Sequence, residues 1–171
     1  LQASGFSGLV ISITNPCDLI ALYLANLTGF DKAKVIGSGT LIDTNRLKNR
    51  AGREDVLVIG EHGESQVALN VTPDIEKQAT GTGWEIYAAK HHTAFGIASS
   101  VARIIRVLKT DTRELLPVSS YDEVENCYYA TLTELTLENG VVQRVLPSLN
   151  NLETDRLTQS IQTIKRNYLE I

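Results

Sequence analysis

The part of the sequence that most constrains the fold lies between residues 114 and 146. Three strand-like runs follow one another there, namely Glu114–Ser120, Tyr128–Leu137 and Val141–Leu146. The Asn139-Gly140 dipeptide separates the last two runs, and such a pair favours the tight turn of a β-hairpin because both residues tolerate positive φ. The pattern therefore predicts consecutive antiparallel strands.

Helical patterns lie on both sides of these strands. We predict helices over 18–29, from about 40, over 74–90, over 93–108 and over 153–170, with shorter apolar strands at 8–14, 35–36, 55–59 and 66–71. The helix over 93–108 shows the clearest apolar stripe, made of Ile97, Val101, Ile104, Ile105 and Leu108. No repeat or linker interrupts the chain. We predict one α+β domain over residues 1–171, an antiparallel sheet with helices packed on it.

The bulk composition argues against several classes of protein. The net charge is −4, whereas a nucleic-acid-binding domain usually carries a basic patch. No apolar run approaches the length of a membrane span, and the start does not look like a signal peptide. We therefore expect a cytoplasmic protein with no nucleic-acid partner and no membrane association. Cys17 and Cys127 do not form a CxxC pair, and we predict both as buried, apolar side chains.

Three polar residues are candidates for chemistry. His62 lies between two glycines directly after an apolar strand, and Asp43 and Arg46 are three positions apart, as neighbours on one face of a helix. Each has a simpler interpretation. A histidine after a strand is usually structural or exposed, and an Asp/Arg pair at this spacing is usually a solvated ion pair that contributes little to stability. Spacing alone leaves both interpretations open.

The residues around these three narrow the choice. Three motifs occur in order: Thr14-Asn15-Pro16-Cys17-Asp18, then Gly-Ser-Gly-Thr-Leu-Ile-Asp-Thr-Asn-Arg over 37–46, then Gly60-Glu61-His62-Gly63-Glu64-Ser65. With the flanking segments 90–97 and 118–121, they resemble the L-lactate and malate dehydrogenase family, within it the lactate and L-2-hydroxyisocaproate branch. The resemblance covers the chain essentially as far as the last helix. It implies the C-terminal catalytic domain of such an enzyme.

The resemblance implies catalytic roles for the three polar residues. His62 would donate and accept the proton of the substrate oxygen, since an imidazole titrates near neutral pH. Asp43 would accept a hydrogen bond from the far ring nitrogen and raise the pKa of His62. Arg46 would hold the substrate carboxylate with its planar guanidinium, a geometry that lysine does not reproduce.

The resemblance also implies residues that line the substrate and cofactor pocket. Asn15 would lie beside the substrate oxygen and the nicotinamide ribose, and the Asn15-Pro16 peptide would be cis. Thr93 would line the substrate pocket, and Ile97 would pack on the nicotinamide ring. No metal site is implied.

The implied cofactor is NAD, and the implied substrate is a small 2-keto or 2-hydroxy acid. The Gly-x-Gly-x-x-Gly motif that binds the dinucleotide phosphates is absent from the sequence, so we expect the N-terminal Rossmann half of the enzyme to be absent from this chain. We therefore expect no turnover from the chain alone. Since members of the family associate, we also expect a homo-oligomer.

Two spacings are shorter than the resemblance implies. Arg46 and His62 are 16 positions apart, and His62 and Thr93 are 31 positions apart. The segments 49–54 and 71–72 are where residues are lacking. We expect the natural protein to carry further residues at both places, and an intact mass of 18.7 kDa would contradict this.

Three other functional interpretations remain open. A malate dehydrogenase would share the catalytic residues, because substrate choice depends largely on the half that is absent here. Certain NAD-using glycosidases share the fold and an Asn-Pro strand end, but they hold a metal with Cys and His, and no Cys accompanies His62. The third interpretation is an inactive fragment that serves only folding and oligomerisation.

Overall fold

The computed structural model describes residues 2–169. The helices are α1 (Cys17–Thr28), α2 (Leu41–Ala51), α3 (Pro73–Lys90), α4 (Ala94–Thr110) and α5 (Asn151–Leu169). The strands are β1 (Val10–Ser12), β2 (Val35–Gly37), β3 (Leu57–Ile59), β4 (Val67–Leu69), β5 (Leu116–Asp122), β6 (Cys127–Thr136) and β7 (Gly140–Val145). Two single 3₁₀ turns, at Gln2–Ser4 and Lys32–Lys34, complete the secondary structure of these residues and were not predicted.

Five of the strands form one sheet, in the order β1-β2-β5-β6-β7. The pairs β2–β5, β5–β6 and β6–β7 are antiparallel, and β3 and β4 form a separate antiparallel pair. The α+β class is therefore confirmed. One pair, β1–β2, is parallel, because the chain passes through α1 between these strands and such a crossover returns it in the same direction.

The predicted hairpin is present between β6 and β7. Thr136 pairs with Gly140, so a three-residue connection joins the strands. Gly140 has φ +73°, and a Cβ at this position would lie 2.0 Å from the carbonyl oxygen of Ala33. Only glycine fits this turn, both for its backbone conformation and for its close approach to the neighbouring backbone.

Apolar clusters fill the space between the helices and the sheet. One joins α4 to β2 and β5 through Ile104, Val107, Leu108, Ile36 and Val118, and another joins α5 to the β3–β4 pair. The predicted stripe of α4 was wrong at Ile105, which is 45% exposed, whereas Val107 is buried. The buried stripe therefore follows positions 104, 107 and 108, an i, i+3, i+4 pattern.

Helix α1 also differs from the predicted pattern. The sequence spacing predicts one apolar face made of Leu19, Leu22, Tyr23 and Leu27. Tyr23 and Leu27 are exposed, however, while Ala21 and Ala25 are buried. Small side chains let this helix approach the sheet closely. Cys17 and Cys127 are buried free thiols as predicted, and burial raises the pKa of each to about 12. No helix within residues 2–169 is long and apolar enough to cross a membrane.

Candidate active site

The segment that carries His62 is held by main-chain hydrogen bonds to three different elements. Gly60, directly after β3, exchanges both backbone hydrogen bonds with Ala130 of β6, at 2.8 and 2.9 Å. The Glu61 amide donates to Ser160 Oγ of α5 at 2.8 Å. The His62 amide donates to Asp18 Oδ2 of α1 at 2.9 Å. Three successive amides are thus anchored to a strand and two helices, which fixes the position of the histidine.

Gly60 meets a steric as well as a conformational requirement. It has φ +86°, and a Cβ there would lie 2.6 Å from Ser160 Oγ. The motif glycine therefore allows α5 to approach the loop closely enough for Ser160 to bind the next amide.

His62 and Asp43 form a close pair, as the resemblance implied. His62 Nδ1 lies 2.5 Å from Asp43 Oδ2. An ionised carboxylate only accepts hydrogen bonds, so Nδ1 carries the hydrogen and Nε2 is left for another partner. Among the described residues, none forms a hydrogen bond to Nε2. Asp43 lies in the first turn of α2 and is 8% exposed, which shields the pair from water.

The surroundings of His62 raise its pKa above the usual value. Burial of the ring on its own would lower the pKa, but the hydrogen bond and the charge of Asp43 act in the opposite direction and outweigh it. The charge of Asp18 raises the pKa further, and the nearby guanidinium of Arg46 lowers it. The imidazolium form is therefore more populated at a given pH than it is for an ordinary imidazole.

Arg46 shares the carboxylate of Asp43. Its Nη1 lies 3.2 Å from Asp43 Oδ1, and the two residues are neighbours along α2. Within residues 2–169, Asp43 is the only hydrogen-bonding partner of this guanidinium. The side chain is 17% exposed and packs against Gly83 of α3, where a Cβ would lie 3.3 Å from Nη1. The remaining N–H groups are free to bind an anion that enters from the cleft.

One cleft brings together most of the predicted site residues. Asn15, Arg46, His62, Thr93 and Ile97 all line it, and Asp43 lies behind His62. The cleft is also lined by Ile13, Ser38, Ile42, Gly83, Trp84 and Tyr87. The three motifs therefore converge on one cleft.

The remaining predicted residues reach this cleft from the ends of elements. Asn15 precedes α1 in the loop after β1, and the Asn15-Pro16 peptide is cis, as the resemblance implied. Thr93 is the N-cap residue of α4 without a side-chain bond to the helix, so its hydroxyl is not used in capping. Ile97 follows in the first turn of the same helix and is partly buried.

Sequence reasoning missed two groups of residues at this site. Trp84 and Tyr87 of α3 lie edge to face with ring centroids 6.3 Å apart and form an aromatic wall of the cleft. Asp18 and Ser119 support the histidine from behind, with Ser119 Oγ donating to Asp18 Oδ1 at 2.5 Å. Asp18 belongs to the first motif, and Ser119 belongs to the segment 118–121 that also carries the resemblance, but neither pattern indicated that these two side chains would meet.

The described residues contain no group of three or more His, Cys, Asp or Glu side chains that could hold a metal ion. Cys17, the cysteine of the Asn-Pro motif, is instead within hydrogen-bonding distance of Ser38 and the Gly39 amide.

Known proteins similar to this chain include L-lactate dehydrogenases. L-lactate dehydrogenase 1 of Bifidobacterium longum is 33% identical over 201 residues, covering 96% of this chain and 63% of the relative. L-lactate dehydrogenase of Halalkalibacterium halodurans is 32% identical over 193 residues, covering 96% and 62%. This chain thus spans less than two thirds of each relative. No protein-family model matches it.

The length of the first alignment bears on the short spacings. It runs over 201 residues, whereas the chain has 171, so the relative has residues within the matched region that this chain lacks.

Solved structures show the same fold. The minor L-lactate dehydrogenase of Enterococcus mundtii superposes with a TM-score of 0.90 at 24% identity, covering 99% of this chain and 65% of that one. A lactate dehydrogenase from a Medee basin deep-sea metagenome library gives 0.87 at 23% identity, covering 97% and 64%. The chain is therefore similar in sequence to L-lactate dehydrogenases over 96% of its length and has the fold of the matching part of solved lactate dehydrogenases.

Proposed function

We propose that this chain is the catalytic half of an NAD-dependent L-2-hydroxy acid dehydrogenase, which interconverts a small 2-keto acid and its L-2-hydroxy acid. One observation carries the proposal. Asp43 binds His62 Nδ1 with one oxygen and Arg46 with the other, so a proton donor and a carboxylate-binding group are fixed together beside one cleft.

In this proposal His62 is the general acid and base. Its Nδ1 is occupied by Asp43, so Nε2 is the atom that exchanges a proton with the substrate oxygen. During reduction of a keto acid, His62 gives its proton to the oxygen that becomes the hydroxyl. During oxidation, the neutral imidazole takes that proton back. The raised pKa of His62 suits this role, because it increases the fraction of the acid form at a given pH.

Arg46 binds the substrate carboxylate. A guanidinium presents two parallel N–H groups to a carboxylate, and binding in one plane restricts rotation of the substrate. With the carboxylate on Arg46 and the oxygen on His62, two points of the substrate are held. One face of the planar keto carbon then meets the nicotinamide, so that hydride arrives from one side and a single configuration of the hydroxy acid is formed.

The residues on the cofactor side of the cleft fit a nicotinamide ring. Ile97 and Ile13 supply an apolar surface, and Asn15 supplies a side-chain amide for polar groups at the ring and ribose. When bound, NAD supplies the hydride acceptor, and NADH the hydride donor, beside the substrate carbon. The Gly-x-Gly-x-x-Gly motif for the dinucleotide phosphates is absent from the sequence, so these residues would hold only the nicotinamide end.

The test is oxidation of NADH by the full-length protein, offered pyruvate, oxaloacetate and 2-ketoisocaproate in parallel. Turnover of pyruvate or 2-ketoisocaproate with the higher kcat/KM supports the proposal, and preference for oxaloacetate identifies a malate dehydrogenase instead. His62→Ala should abolish turnover and leave the protein folded. A folded protein that binds NADH and turns over none of the three acids would contradict the proposal. We expect no turnover from the 171-residue chain alone.

We also propose that the protein is a homo-oligomer. Large apolar side chains are exposed at several places, among them Trp84 at 76%, Phe95 at 74% and Leu152 at 68%. Association with a second copy would remove such side chains from water. Size-exclusion chromatography with light scattering tests this, and a monomer at all concentrations would contradict it.

A further inference from the structure

Asp18 is a buried carboxylate that does not line the cleft. It is 2% exposed and lies in the first turn of α1. Oδ2 accepts the main-chain N–H of His62 at 2.9 Å, and Oδ1 accepts the Ser119 hydroxyl of β5 at 2.5 Å. One buried side chain therefore joins the helix that follows Asn15, the loop of His62 and the central sheet.

A buried negative charge is unfavourable unless hydrogen bonds or positive charges stabilise it. Asp18 has hydrogen bonds to both oxygens but few possible positive charges near it. The two hydrogen bonds and the N-terminal end of α1 favour the ionised form. The described charged and titratable groups that interact with Asp18 are His62 and Glu61 of the loop, Cys17 of α1 and Cys127 of β6. Both thiols are neutral near pH 7, so His62 is the only one of these four that can carry a positive charge.

We propose that Asp18 is a positioning residue for His62: its carboxylate holds the main-chain amide of His62 in place, and its negative charge helps to keep the proton on the imidazole ring. The inference rests on the proposed function only in giving His62 the role of acid and base. Asp43 acts on the ring through a direct bond, whereas Asp18 acts through the backbone and through its charge.

The same geometry makes the support from Asp18 dependent on pH. Burial raises the pKa of Asp18 to about 6, although its hydrogen bonds to Ser119 and His62 oppose this, and the charge of Glu61 raises it slightly. Asp18 thus gains its charge near pH 6, close to the range in which an ordinary imidazole titrates. Protonation of His62 and ionisation of Asp18 favour each other, so the two titrations are coupled.

The test is a proton NMR titration of the histidine rings in the 171-residue chain, in wild type and in Asp18→Asn, from about pH 5 to about pH 9. A His62→Gln sample assigns the His62 signal, and the exposed His91 and His92 serve as references in the same spectra. We expect the His62 midpoint to fall by about 0.5 pH unit in Asp18→Asn. Glu64→Gln, at an exposed position of the same loop, controls for loss of one negative charge and should leave the midpoint in place.

An unchanged His62 midpoint in folded Asp18→Asn would show that Asp18 is only structural and would overturn the proposal. Should Asp18→Asn not fold, Ser119→Ala provides the second measurement, because it leaves the bond to His62 intact and removes a stabilising donor from the carboxylate. We expect the carbon-detected Asp18 titration to move to higher pH and the His62 midpoint to fall with it. An Asp18 titration that moves without His62 would also overturn the proposal.

The NMR titration needs no turnover, so the two proposals fail separately. A coupled pair in a protein that turns over no 2-keto acid contradicts the proposed function alone. An active dehydrogenase with an uncoupled pair contradicts this inference alone.

Discussion

His62 Nδ1 lies 2.5 Å from Asp43 Oδ2, and the other oxygen of the same carboxylate lies 3.2 Å from Arg46 Nη1. We therefore expect Asp43→Asn to lower the His62 pKa, because the amide carries no charge and its oxygen accepts a weaker hydrogen bond. The expected fall is about 1 pH unit or more. Proton NMR titration of the His62 ring measures it. A His62 midpoint equal to that of wild type would show that the observed pair contributes nothing in solution.

The same pair predicts a pH-dependent difference in stability. The pKa of His62 is higher in the folded state than the usual 6.5, so the folded protein binds this proton more tightly than the unfolded chain. The resulting stabilisation is fully present below pH 6.5 and is lost as the pH rises through the raised folded-state value. The free energy of unfolding of wild type should exceed that of Asp43→Asn by about 1 to 3 kcal/mol near pH 6. This difference should become smaller as the pH rises above the folded-state pKa of His62. Urea unfolding at several pH values measures the gap.

The Arg46→Lys substitution distinguishes the contribution of the guanidinium's donor geometry to substrate binding from the contribution of its positive charge. Arg46→Lys keeps the positive charge but removes the two-pronged arrangement of donors, so we expect KM for pyruvate to rise by about 10- to 100-fold in the full-length protein. Arg50→Lys is the matched control, since Arg50 lies one turn further along α2 and bonds to Thr82 and Glu85 outside the cleft. Equal KM values for Arg46→Lys and wild type would remove Arg46 from the substrate site.

Local patterns in the sequence were sufficient for much of the fold. The hairpin at Asn139-Gly140 and the last helix depend on turn chemistry and on apolar spacing, and both are local properties. The burial of Val107 in place of Ile105 depends instead on which side of α4 meets β5. The parallel pairing of β1 and β2 likewise depends on where α1 packs, and no short motif records this.

In the candidate site too, some residues were predicted from local sequence motifs and others are recognised only from the tertiary structure. Asp43, Arg46 and His62 were proposed from motifs, and the structure places them in contact. Ser160 and Ser119 were not proposed, because they are ordinary serines nearly a hundred or more positions from the residues they support. Their roles follow from tertiary packing, which spacing along the chain does not encode.

Substitution of Gly39, just before α2, tests how closely the backbone of this loop approaches β5. Gly39 and Gly52 both have left-handed φ values, +56° and +65°. A Cβ on Gly39 would lie 2.4 Å from the Ser119 backbone nitrogen, whereas a Cβ on Gly52 meets nothing within 4 Å. We expect Gly52→Ala to cost about 1 kcal/mol from conformation alone, and Gly39→Ala to cost about 2 kcal/mol more from the backbone contact. Denaturant unfolding compares the two variants, and equal losses would contradict the close approach.

Because Asp18 is buried, we expect its ionisation to destabilise the folded protein as the pH rises. An exposed, salt-bridged carboxylate has the opposite effect on stability. Its folded-state pKa, about 6, lies above the ordinary value of 3.8, so the folded protein holds this proton more tightly than the unfolded chain. The corresponding stabilisation is present below pH 3.8 and is lost as the pH rises through about 6. Relative to Asp18→Asn, which cannot ionise, wild type should lose roughly 3 kcal/mol of stability between about pH 4 and about pH 7.5.

Urea unfolding of both proteins at the two ends of this range measures the change. Hydrogen-bond differences between carboxyl and amide act at both ends and largely cancel, so the change in the gap reports the ionisation. Glu64→Gln, measured in parallel, controls for the loss of one carboxylate from an exposed position on the same loop. A wild-type advantage that grows with pH would mean that Ser119 and the His62 amide compensate the buried charge more than fully, with the folded-state pKa of Asp18 below its ordinary value.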